Sequence, residues 1–141
     1  MTPIVGRAPV VAALRTAVDT MIGGSPAVGL LCGEPGIGKS TLAREAVDYA
    51  ATRGAVTAWS TCWDADGAPP FWPWQQVLRS LGFQPADLAA GTAANPADRR
   101  FRLFAAVLAA LSERAEREPV VVVLDDLQWA DTGSLRLLVF L

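Results

Sequence analysis

Apolar positions along the chain fall into two alternating kinds of run, one spaced for helices and one unbroken. Val11, Leu14, Val18, Met21 and Ile22 recur at helical spacing, with Pro9 placed to open a helix and Gly23-Gly24 to close it. Ala27-Val-Gly-Leu-Leu-Cys32 is a short continuous apolar run, as expected of a strand buried on both faces. Leu42, Ala43, Ala46, Val47 and Ala50 form a second helical stripe, with Arg44, Glu45 and Asp48 largely opposite and Gly54 at the expected C-terminal end. Residues 55–62 read as a second strand. Residues 63–73 are rich in Pro, Gly and Trp and read as a loop. Pro73 then opens a short helix with Trp74, Val77, Leu78 and Leu81 on one face, ended by Gly82.

Residues 84–96 form a spacer with little periodicity. Asn95-Pro96-Ala97-Asp98 supplies a cap, a first-turn proline and a first-turn acid. The helix it starts runs to about Glu118, with Phe101, Phe104, Leu108 and Leu111 on one face and Pro119 as its stop. Val120-Val-Val-Val-Leu124 is the strongest strand signal, β-branched until its last residue. A final helix begins near Asp131 or Thr132. Strand–helix alternation with apolar strands predicts an α/β fold, a mostly parallel sheet covered by helices on both faces. Anion sites in such sheets lie at the carboxyl ends of the strands.

At 141 residues the chain reads as one domain, and 52% hydrophobic against 18% charged residues places it among globular rather than disordered sequences. A net charge of −2 gives no electrostatic case for direct binding of nucleic acid or an anionic membrane. The absence of histidine removes that residue as ligand or general base. The N-terminus has no basic stretch followed by an apolar core, and the longest apolar run, Leu103 to Leu111, is half the roughly 18–20 residues a membrane span needs. A soluble, cytoplasmic chain is expected. Cys32 and Cys62 lack metal or redox spacing and read as small buried hydrophobes.

Lys39 is the only lysine; every other basic residue is arginine. It stands in Gly33-Glu34-Pro35-Gly36-Ile37-Gly38-Lys39-Ser40-Thr41, which fits G-x-x-x-x-G-K-S/T. In that pattern the glycines let backbone N–H groups curl around phosphate oxygens, the lysine reaches the β/γ-phosphates and the serine hydroxyl ligates Mg²⁺. A compact ammonium suits the position better than a planar guanidinium. A strand before and a helix after would turn the helix N-terminus toward the loop. The alternative is a glycine-rich turn with a surface lysine.

Asp125 and Asp126 follow the valine run. An apolar strand ending in acid beside a phosphate loop has the form of a Walker B segment. Asp125 would hold Mg²⁺ opposite Ser40, and Asp126 would orient or deprotonate an attacking water. Alternatively, the paired acids cap the next helix. Asp131 is most simply a helix cap.

Together, Val5-Gly6-Arg7, the loop Gly-Glu-Pro-Gly-Ile-Gly-Lys-Ser, Cys62-Trp63 followed by Ala-Pro-Pro-Phe-Trp-Pro-Trp74, and Leu124-Asp-Asp-Leu-Gln-Trp-Ala-Asp131 carry a specific resemblance. The chain resembles the AAA-type ATPase domain of bacterial LuxR-type and adenylate-cyclase-associated regulators, within the STAND group of signalling ATPases. The resemblance implies a three-layer P-loop fold, ATP and Mg²⁺ as cofactors, and slow hydrolysis used as a switch. It places Val5 and Arg7 near the adenine. Catalytic roles fall to Asp126 and Lys39. The phosphate-binding set is Gly33, Glu34, Pro35, Gly36, Ile37, Gly38, Lys39, Ser40 and Thr41. Ser40 and Asp125 would hold the metal.

Two departures matter. Ala8-Pro9 follows Arg7 where relatives usually carry an acid, and Asp126 stands where many hydrolysing relatives have glutamate. Similar ATPases continue with a sensor strand, a lid and effector domains, so the resemblance also implies a fold truncated after the Walker B strand and the following helix. The remainder of the regulator, or a second copy of the chain, would then be its partner. Trp59 and Trp74 read as core, while Trp63, Trp72 and Trp129 stay unassigned. Two other functions remain open: a non-catalytic, nucleotide-stabilised interaction module, and a small P-loop kinase using the Arg99-Arg100-Arg102 cluster as a lid.

Overall fold

A computed structural model describes residues 7–63, 69–84 and 95–141. It contains helices α1 (Ala8–Ile22), α2 (Lys39–Thr52), α3 (Trp72–Ser80), α4 (Pro96–Arg117) and α5 (Thr132–Phe140), strands β1 (Val56–Thr61) and β2 (Val120–Asp125), and a 3₁₀ turn at Leu127–Trp129. The two strands pair in parallel, with Val56 opposite Val120 and Thr61 opposite Asp125. Among the described residues the chain is therefore α/β, and no helix is long and apolar enough to cross a membrane.

Alternation along the strands sorts the helices. Val56, Ala58, Val120, Val122 and Leu124 pack with Trp74, Val77, Leu78 and Leu81 near α3, with Phe104, Val107 and Ala110 of α4, and with Leu137 of α5. Val121, on the opposite face, packs with Val18 of α1, Ala50 of α2 and Ala55. Helices thus cover both faces. Val77, Val107 and Leu137 have essentially no exposed surface. Each contributes about 1.5–3 kcal/mol by burial, so the larger core lies on the α3–α4–α5 side.

Local chemistry sets most boundaries. Asn95 caps α4 by accepting from the Asp98 N–H at 2.9 Å, while Pro96 opens the first turn. Gly54 and Gly82 adopt positive φ just beyond α2 and α3. Pro73 lies in the first turn of α3, where its missing N–H costs nothing.

Four expectations are corrected. The run 27–32 is not a strand. It has no regular secondary structure, and Val28 is 93% exposed. A strand exists only through ladder bonds to a neighbour, and among the described residues β1 and β2 pair solely with each other. Cys32 is consequently exposed, whereas Cys62 is buried as expected. On α4 the buried stripe is Phe104, Val107 and Ala110; Phe101 and Leu108 are exposed because they flank the face that meets the sheet. Trp59 is only half-buried, its ring covered by the Arg44 guanidinium at 4.8 Å rather than by core. Most of the spacer falls on residues 85–94, outside the described residues.

Candidate functional site

The glycine-rich loop ends in the first turn of α2. Gly38 is its N-cap, at φ 91°, and Gly36 has φ 75°. Both lie in the left-handed region, which a side chain reaches only at a cost, so the loop curls back on itself because these positions are glycine. Gly38 has no side chain with which to cap α2, so the first N–H groups of the helix are available to an outside acceptor. Lys39 Nζ donates to the carbonyls of Gly33 (2.9 Å) and Glu34 (3.0 Å), holding the ammonium across the loop. Two of its three donors are thereby used.

Arg7 also reaches this loop. Its Nη1 lies 3.0 Å from where a Cβ on Gly38 would stand, so the absence of bulk at this glycine admits a guanidinium beside the loop. Val5 lies outside the described residues. Pro35, Ile37, Ser40 and Thr41 are all exposed along the loop and first turn. Among the described residues Ser40 makes no side-chain hydrogen bond, leaving its hydroxyl oxygen open.

The layer order sets the direction of the acidic end of β2 relative to this loop. Val121, Val123 and Asp125 share the strand face on which α2 packs. Ala50, late in α2, packs in the same cluster as Val121, near the start of β2. Arg44 lies over Trp59, which is opposite Val123. Helix and strand therefore run in opposite directions. Continuing about 6–7 Å further in each brings Lys39–Ser40 and Asp125 to the same end of the layer.

Asp125 is the last residue of β2, and its Oδ1 accepts from the Asp126 N–H at 3.0 Å. Asp126 turns into the left-handed region at φ 56°, and its Oδ1 accepts from the Gln128 side-chain amide at 3.1 Å. Neither aspartate caps a helix with its side chain. That use falls to Asp131, which accepts from the Ser134 N–H at 2.9 Å at the start of α5. Hydroxyl and carboxylate oxygens are hard donors of the kind Mg²⁺ prefers, so exposed Ser40 and half-buried Asp125 fit that ion. Among the described residues no three His, Cys, Asp or Glu side chains converge as a metal cage. A Mg²⁺ site that relies on substrate phosphates needs none.

Nearby, the Cys62 thiol is pushed above its usual value, first by burial and then by the negative charges of Asp131, Asp126 and Asp125. The Cys62 N–H donates to the Asp125 carbonyl at 2.9 Å, so the thiol stands beside the acidic strand end.

Sequence reasoning missed Phe71, Gly133 and Ser134. Asp131 Oδ2 accepts from the Phe71 N–H at 3.2 Å and from Ser134 Oγ at 2.6 Å, while the Trp74 indole donates to the Ser134 carbonyl at 3.0 Å. The Trp–Pro segment and the end of the Asp-Asp-Leu-Gln-Trp-Ala-Asp run are thus one structural unit. The only local signal was the cap pattern Asp131-x-x-Ser134. Trp63 and Trp129 are exposed, and Trp72 lies under Arg79 at 5.7 Å. In comparison with known proteins, a family model described as an AAA ATPase domain matches residues 3–141. No curated protein and no solved structure matches the chain.

Proposed function

Because the chain belongs to the AAA ATPase domain family, we propose that it binds Mg-ATP at the Gly33–Ser40 loop and serves as a nucleotide switch in a larger transcriptional regulator of the LuxR-type, STAND group. Its own hydrolysis is slow or absent. The observation that carries this reading is the loop itself: left-handed Gly38 at the start of α2, uncapped N–H groups, and an ammonium already drawn over the loop by its own carbonyls. A phosphate entering there exchanges those carbonyls for anionic oxygens, a stronger charge-assisted pairing.

Each residue then has a task. The α2 N–H groups and Lys39 hold phosphate oxygens, and Arg7 adds a second positive charge beside Gly38. Val5 and the backbone of Arg7 would face the adenine. Ser40 and Asp125 would hold Mg²⁺, which when bound neutralises phosphate charge and polarises the terminal phosphoryl group. Asp126, restrained by Gln128, would orient water or accept its proton. Its shorter reach than glutamate fits a binding site better than a fast hydrolase.

Titration calorimetry with Mg-ATP tests the reading. Wild-type protein should bind and Lys39→Ala should lose binding; equal affinity in the two would sink it. A second reading, an interaction module that nucleotide merely stabilises, is favoured by exposed Val28, Leu30, Phe101 and Val139. It predicts binding without turnover and better solubility when co-expressed with the remainder of the regulator.

A further inference from the structure

Two non-glycine residues among those described have positive φ: Phe71 at 62° and Asp126 at 56°. Left-handed backbone at such residues costs about 1–3 kcal/mol and persists only where surroundings enforce it. They are 55 positions apart in sequence, yet both belong to segments that converge on Asp131. Phe71 enters α3, and Asp126 enters the turn that Asp131 closes.

Asp131 does more than a cap requires. One carboxylate oxygen satisfies the α5 N-terminus through Ser134 N–H. The other takes the Phe71 N–H and the Ser134 hydroxyl together. Ser134 in turn receives the buried Trp74 indole N–H, and Gly133 lies against the Phe71 ring, where a Cβ would stand 2.8 Å from Cζ. The Phe71 ring continues edge-on to Phe104 of α4 at 5.9 Å. The turn 126–130 is therefore fixed at one end by the strand carrying Asp125 and at the other by α3.

We propose that Asp131 is a positioning residue that ties the acidic turn to the entry of α3, so that ligand binding at Asp125 and Asp126 is transmitted to Phe71 and Trp74. This rests on the nucleotide reading above and deepens it by naming the element that reports site occupancy. A ligand that favours one arrangement of the turn must shift α3 with it, and by linkage a partner bound to α3 would alter nucleotide affinity by the same factor.

The test uses ¹H–¹⁵N spectra of the purified protein with Mg-ATP, alongside calorimetry of the same samples. The Phe71 amide and the Trp74 indole are the reporters, the latter identified by Trp74→Phe. Asp131→Asn keeps an oxygen to cap Ser134 N–H, since asparagine is an equally good cap, but loses the second acceptor. Wild-type protein should show both resonances moving on saturation and slower Phe71 amide exchange, by about fivefold or more. Asp131→Asn should bind Mg-ATP yet lose the response of both reporters. Binding by wild-type without movement of either resonance overturns the proposal and leaves the nucleotide reading intact, as does an unchanged response in Asp131→Asn. Failure of wild-type to bind Mg-ATP overturns both.

Discussion

The indole N–H of Trp74 donates to the backbone carbonyl of Ser134 at 3.0 Å, a buried bond that joins the first turn of α3 to the first turn of α5. Trp74 is 3% exposed, so its polar atom has exchanged water for that carbonyl. Trp74→Phe removes the donor and part of the ring volume. Denaturant unfolding should show a loss of roughly 1–3 kcal/mol. An unchanged midpoint would mean the bond contributes nothing to the fold.

Gly133→Ala should destabilise the protein, against the ordinary trend. In a helix that exchange normally gains about 1 kcal/mol. Here the added Cβ meets Phe71 Cζ at 2.8 Å and Asp131 Oδ1 at 2.9 Å, so the ring or the cap must move. Thermal melts should show a lower Tm, by an amount equivalent to roughly 1–3 kcal/mol of overpacking.

At Gly38 strain and contact act together. Alanine there would hold φ near 91° at a cost of about 1–2 kcal/mol and would press on Arg7 Nη1. Gly38→Ala should therefore bind Mg-ATP at least about tenfold more weakly, while circular dichroism reports a folded protein. Full affinity would show that neither the turn nor Arg7 shapes the anion site.

The Asn95 cap is isolated from the site and makes a clean local test. Its Oδ1 accepts from Asp98 N–H, and its Nδ2 donates to Asp98 Oδ2 at 2.8 Å. Asn95→Ala should cost about 1 kcal/mol in urea unfolding without altering nucleotide affinity.

The two cysteines should separate by reactivity and by pH. Exposed Cys32 should be modified rapidly by a thiol reagent, and buried Cys62 only on unfolding. The folded state raises the Cys62 thiol above its reference value of 9.0, so folded protein retains a proton that unfolded chain releases. Stability is therefore unaffected at neutral pH and falls as pH rises through the unfolded thiol's range. Cys62→Ala should flatten that alkaline decline in pH-dependent melts.

Much of the architecture was legible because local rules sufficed. Asn95-Pro96-x-Asp98 fixes the start of α4 within its own first turn, and four successive valines have few alternatives to a strand. The glycines at 36 and 38 permit the left-handed backbone found there. Where the pattern misled, the missing information was a neighbour. Residues 27–32 are apolar enough for a buried strand yet stand exposed, because ladder partners are supplied by other segments and not by composition. Phe101 and Phe104 sit on the same helix at helical spacing, and only the direction of the sheet decides that Phe104 is buried.

The sequence alone determined the α/β class, the glycine-rich loop with its single lysine, and the acidic end of the second strand, since each follows from residue types a few positions apart. Tertiary structure decided how the site is completed. It brought Arg7 against Gly38. It also joined Phe71 to Asp131 and Trp74 to Ser134, each pair 60 residues apart in the chain. Contacts at that separation depend on how the layers pack, and no local pattern of residues encodes the packing.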